Sequence, residues 1–109
     1  MIDILQLSEE DIKLRYITPS IIDKGWSVDN ITMETKVKLT DGKIILRGNL
    51  LSRGKAKYAD YVLYYNRATP IAIVEAKDAS HAVAHGLQQA KEYAQMMDVP
   101  FAFSSNGMG

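Results

Sequence analysis

The sequence predicts a mixed α/β fold, α-β-β-β-α-β in chain order, with a helix from each end of the chain packed on a mixed four-stranded sheet. Three observations carry that prediction. Apolar runs of strand character fill the middle of the chain, a stripe of period 3.6 follows them over residues 80 to 98, and Phe101 to Ser104 then resumes β character. A strand, a crossover helix and a second strand form a right-handed unit whose last strand lies parallel to its partner. At 109 residues the chain is long enough for one domain with one core.

The elements follow in order. Ser8 reads as an N-cap, with Asp11 placed to complete a capping box and Glu9, Glu10 and Asp11 in the first turn where acids favour the helix dipole. Leu7 and Ile12 are spaced as a hydrophobic staple. That helix runs to Thr18, where Thr18-Pro19 either kinks it or opens a second segment ending at Lys24 and Gly25. Trp26 is expected to cover one end of the core. Residues 31 to 39 alternate imperfectly, between strand and irregular structure, and Thr40-Asp41-Gly42-Lys43 is a turn. Ile44 to Arg47 is a short strand, followed by a loop carrying Arg53, Lys55 and Lys57. In the last helix, Ser80 is the expected N-cap and Val83, Leu87, Ala90, Ala94 and Met97 form the apolar stripe.

Composition narrows the class. No apolar stretch approaches the roughly 18 residues of a membrane span, and Met1-Ile2-Asp3-Ile4-Leu5 lacks the basic start of a signal peptide. Cysteine is absent, which excludes a disulfide scaffold and thiolate metal sites and fits a reducing cytoplasm. A formal net charge of zero argues against DNA binding by bulk charge but leaves room for a local basic strip.

The candidate chemistry lies between residues 60 and 77. Tyr58 to Tyr65 is an aromatic and β-branched run, Asn66 to Pro70 a turn, and Ile71-Ala72-Ile73-Val74-Glu75-Ala76-Lys77 a buried strand that ends in charge. Alternation puts Ile71, Ile73, Glu75 and Lys77 on one face, and a hairpin brings Asp60 close to Glu75. Two carboxylates and the Ala76 carbonyl make a partial oxygen cage suited to Mg²⁺, which binds at about 2.0–2.1 Å and keeps several waters. Such an ion activates water and stabilises charge on a phosphodiester, and Lys77 would hold that water or the phosphate. A lone Glu-x-Lys also arises by chance at many strand ends.

Other groups are weighed beside these. Gln89 and Tyr93, four apart, flank the apolar stripe and reach toward the edge carrying Glu75 and Lys77, or are ordinary helix surface. Glu10 is either a metal ligand from the first helix or only a dipole-favouring acid. Arg53, Lys55 and Lys57 are candidate DNA-backbone contacts, or simply a solvated loop. His81 and His85 lack a third ligand, and neither Gly-Lys pair completes a phosphate-binding loop.

Taken together, Asp60, Glu75-Ala76-Lys77 and Gln89-Ala90-Lys91-Glu92-Tyr93 resemble the amino-terminal nuclease domain of the restriction (R) subunit of type I restriction-modification enzymes, in the PD-(D/E)xK nuclease superfamily. The resemblance spans nearly the whole chain, from Glu10 through Pro19, Gly25-Trp26, Arg53-Gly54-Lys55 and Tyr58 to Leu63, ending at Phe103-Ser104-Ser105-Asn106-Gly107. It implies a restriction-endonuclease-like αβββαβ core. It also implies Asp60 and Glu75 as metal-binding carboxylates, Lys77 as the catalytic lysine, Gln89 and Tyr93 as the auxiliary motif, and Glu10 as the first-helix acid. Ala59 stands where the superfamily name has proline, which is not a ligand. The implied activity is Mg²⁺-dependent endonucleolytic cleavage of double-stranded DNA, with methyltransferase and specificity subunits as partners. ATP would enter only through a helicase-like motor beyond residues 1–109, so the chain is expected to be the amino-terminal fragment of a longer one. The competing readings are a non-catalytic docking or DNA-binding domain on the same fold, and a repair-type nuclease of the same superfamily.

Overall fold

The computed structural model describes residues 3–37, 57–80 and 83–108. The expected Asp41-Gly42 turn, the strand Ile44 to Arg47, and Arg53, Lys55 and His81 lie outside them. Helix α1 (Glu9–Ile12) begins in the expected capping box, with the Asp11 N–H donating to Ser8 Oγ and the Ser8 N–H to the Asp11 carboxylate. A π-helical turn (Lys13–Ile17) continues it into α2 (Thr18–Asp23). The path is therefore one helical run rather than a break at Pro19. The Thr18 N–H bonds to the Lys13 carbonyl, five residues back, and this wider turn directly precedes the residue that lacks an N–H. Gly25, at φ 101°, ends the run in a conformation that favours glycine.

Four strands form one sheet in the order β1 (Ile31–Lys36), β2 (Tyr58–Asn66), β3 (Thr69–Ala76), β4 (Phe101–Ser105). The first two pairings are antiparallel and β3 with β4 is parallel, as the crossover through α3 (Val83–Met97) requires. The residues 31 to 39 left open by sequence are thus a strand as far as Lys36. Asp98, in the left-handed region at φ 56°, turns the chain out of α3, and the Val99 N–H bonds back to the Ala94 carbonyl.

Two apolar clusters lie on opposite faces of the sheet. One gathers Ile12, Ile17 and Ile21 against Tyr61, Leu63 and Val74, with Trp26 packed beside it. The other sets Ala90, Tyr93 and Ala94 of α3 against Val62 and Ile73. Strict alternation fails at two places. Ile71 joins the first cluster although Ile73 joins the second, because the β2–β3 register shifts around Tyr64 and Pro70. Ala59 joins the second cluster together with Val62, so the alternation also breaks at Asp60-Tyr61. The expected stripe on α3 is rotated as well. Gly86, Ala90, Tyr93, Ala94 and Met96 are buried, while Val83, Leu87 and Met97 are only half-buried. The helix approaches through its smallest residues: a Cβ on Gly86 would collide with Ser104 Oγ and lie 3.2 Å from Lys77 Cγ. Ser80 bonds to the Asp78 side chain in a turn ahead of this helix.

Candidate active site

Asp60 and Glu75 meet where β2 and β3 part. The register Tyr61↔Val74, carried one step further, sets them opposite each other. Here side chains replace the backbone ladder: the Asp60 N–H donates to Glu75 Oε2 at 2.6 Å, and the Ala76 N–H donates to Asp60 Oδ2 at 2.7 Å. The same line crosses the whole sheet. Glu34 faces Asp60 between the pairs Met33↔Tyr61 and Thr35↔Ala59, and Glu75 pairs with Ser104. Glu34 holds φ at 51°, an uncommon conformation for a residue with a side chain.

Glu75 is 2% exposed. Burial pushes its carboxyl up to about 8 from the usual 4.5, the bond from the Asp60 N–H opposing the shift and the Asp60 charge adding to it. A buried carboxyl beside a second carboxylate is an arrangement that a cation relieves, and the oxygen-only donors suit a hard divalent ion. Among the described residues no group of three or more His, Cys, Asp or Glu side chains is placed to hold a metal. A cation at this corner would therefore rest on Asp60, Glu75, the Ala76 carbonyl and water.

Lys77 follows directly on this strand, its N–H bonded to the Ser105 carbonyl at 3.0 Å and its stem running past Gly86. No ion pair among the described residues ties down its ammonium. Gln89 and Tyr93 bond to each other, Nε2 to the phenol oxygen at 2.7 Å. Tyr93 is buried in the core rather than standing on the flank expected for it, because the helix presents Gly86, Ala90 and Ala94 and so sinks toward the sheet. Burial raises its phenol pKa, the bond from Gln89 opposes this, and the nearby charge of Glu75 adds to the rise.

The residue that sequence reasoning missed is Lys13. It is 2% exposed, and its ammonium lies 2.6 Å from Glu34 Oε1, 2.8 Å from Glu10 Oε1 and 3.1 Å from Asp60 Oδ1. Burial by itself would lower its proton affinity, but the three carboxylates outweigh burial and hold its pKa above the ordinary 10.5. Glu10 is thus joined to Asp60 through Lys13 rather than standing beside it. The Lys13 carbonyl also accepts from the Tyr61 hydroxyl, which shares a 2.7 Å bond with Thr18 Oγ1. In sequence, a lysine three residues after a glutamate on an acidic helix reads as an exposed pair. Glu34 carried no motif at all. Of the expected basic contacts, Lys57 is exposed and its carbonyl accepts from the Val37 N–H at 2.8 Å. His85 is exposed on α3.

Comparison with known proteins gives one consistent result. The sequence pattern of the type I restriction enzyme EcoKI endonuclease subunit second domain matches residues 28–100. The chain is 43% identical over 109 residues, 99% of its length, to the type I restriction enzyme EcoAI endonuclease subunit of Escherichia coli, of which it spans 13%. Among solved structures, a fragment assigned as an HsdR subunit of a type I restriction enzyme from Vibrio vulnificus YJ016 superposes with a TM-score of 0.71 at 38% identity, over 93% of this chain and 20% of that one. The mixed four-stranded sheet with its two helical covers is accordingly of the restriction-endonuclease-like kind.

Proposed function

Because the chain belongs to the family of type I restriction enzyme endonuclease subunits, we propose that residues 1–109 are the DNA-cleaving module of such a subunit, hydrolysing phosphodiesters in double-stranded DNA with Mg²⁺. The observation that carries this reading is the corner at which Asp60 and Glu75 exchange side-chain bonds for backbone ones, with Lys77 two residues on. Bound there, Mg²⁺ would supply an activated water and offset the charge that develops on the phosphate. Asp60 and Glu75 would hold the ion and its water shell. Lys77, with no ion pair among the described residues to spend its charge on, would orient the attacking water or the scissile phosphate as a point charge. Gln89 and Tyr93 support the corner from beneath, fixing the depth at which α3 crosses Lys77. Lys57, together with Arg53 and Lys55, would contact the DNA backbone and contribute affinity without sequence information.

The whole enzyme's partners follow from the same reading: double-stranded DNA, a methyltransferase subunit, a specificity subunit, and an ATP-driven motor outside these residues. The test is calorimetric titration of Mn²⁺ into the chain beside Asp60→Ala and Glu75→Ala, with folding checked by circular dichroism. Binding by the parent and its loss in both folded variants is expected. Equal binding by all three would remove the metal site and favour a docking or DNA-binding domain.

A further inference from the structure

Resting on that reading, we propose that Ser104 is a positioning residue for Lys77. Its buried hydroxyl is the seat that takes one donor of the Lys77 ammonium and leaves the others for the attacking water or the phosphate.

Ser104 lies on β4 beside Glu75 in the parallel register, so the two side chains share a face of the sheet. That face is the one α3 covers, because Ser104 Oγ fills the notch at Gly86 where a Cβ would collide with it. The hydroxyl is buried and has no hydrogen-bond partner among the described residues. A hydroxyl carries one donor and two acceptor sites, and burying it unpaired costs free energy. An alanine would pack there without that cost. From the helix side no water can relieve it, since the hydroxyl already occupies the space left by the missing side chain.

The charge able to relieve it is Lys77. Lys77 Cγ lies 3.2 Å from the position of the same absent Cβ, so the stem and the hydroxyl share one notch. The ammonium is two methylene groups beyond that carbon, and rotation about the outer side-chain bonds brings it to Ser104 Oγ. No ion pair among the described residues holds it elsewhere. An ammonium has three donors, so a seat that takes one leaves two for the reacting groups. A long lysine stem otherwise samples many rotamers, and fixing its end replaces them with one orientation. Hydrogen bonds of this kind commonly close only once substrate is bound.

The experiment reads Lys77 directly and then reads cleavage. The assembled enzyme on duplex DNA is treated with an amine-acetylating reagent, and modification of each lysine is measured by mass spectrometry for the parent and Ser104→Ala. Lys77 acetylation should rise at least about 3-fold in Ser104→Ala, while the exposed Lys91 stays unchanged. The single-turnover cleavage rate should fall about 10-fold with DNA affinity kept, and the urea midpoint should hold or rise because an unpaired hydroxyl has been removed. Ser104→Ala should add no further loss in a Lys77→Ala background. Ser104→Cys, with a weak acceptor of similar size, should shift acetylation the same way and replaces Ser104→Ala should that variant not fold. Equal Lys77 acetylation in the parent and a folded Ser104 variant overturns the proposal, as does cleavage lost in step with stability. Cleavage retained by Lys77→Ala, beside raised Lys77 acetylation in Ser104→Ala, would sustain the seat and place the failure in the nuclease reading.

Discussion

The two faces of the sheet meet their helices by different means. On one face the run from Glu9 to Asp23 arrives through a π-helical turn and delivers a buried charge, Lys13, to the end of β2. On the other, α3 arrives through Gly86, Ala90 and Ala94 and delivers a hydrogen-bonded pair, Gln89 and Tyr93, with Tyr93 in the cluster that holds Val62 and Ile73. The first cover governs charge and the second governs depth. Asp60 and Glu75 lie between them, and the ion pair with Lys13 ties Asp60 to the first cover. A site of this kind depends on the spacing of two helices as much as on its own side chains.

The largest effects should come from the corner itself. Asp60→Ala, Glu75→Ala or Lys77→Ala should each lower plasmid cleavage by the assembled enzyme at least about 100-fold while the fold persists. Retained cleavage by any one would separate that residue from the chemistry. Next comes pH, which reads the buried carboxyl. The folded value for Glu75 is raised to about 8 from 4.5, so below about 4.5 both folded and unfolded chains hold the proton and nothing is lost. As pH rises from 4.5 toward 8 only the unfolded chain releases it, and stability should fall by up to about 1.4 kcal/mol per pH unit. Urea unfolding midpoints across that window should show the decline in the parent and not in Glu75→Gln.

Smaller effects probe the second cover. Gly86→Ala should cost about 1–3 kcal/mol by denaturant unfolding, since the new methyl meets Ser104 Oγ and the Lys77 stem. It should also lower cleavage more than an equally destabilising change far from Lys77. Tyr93→Phe keeps the ring and removes the partner of Gln89, and should cost about 1 kcal/mol. If the two changes had equal effects on cleavage, helix depth would not be what the second cover contributes.

Much of this was legible in the sequence. Glu75 and Lys77 announce themselves because charge ends a buried β run, and Asp60 because it interrupts the facing one. The capping box at Ser8 and the parallel crossover to β4 follow from local chemistry and chain topology. Lys13 was hidden because two of its partners are 21 and 47 residues away and meet it only where the π-helical turn reaches β1 and β2. Glu34 was hidden because nothing in a single sequence marks a backbone turned to positive φ at a glutamate. The burial of Tyr93 was misread because period 3.6 counts large apolar residues, whereas this helix packs by its small ones. Ile71 was misassigned because alternation assumes a ladder without the irregularity beside Pro70.

The exchange of bonds between Asp60 and Glu75 has a consequence for inheritance. Each carboxylate holds a backbone N–H on the opposite strand, so the two letters proposed to supply the chemistry also tie off the end of the hairpin. A lineage that lost one of them would give up a group proposed for cleavage and loosen a strand end in the same step. Reversion would then be favoured on two independent grounds, activity and the local order of the hairpin end.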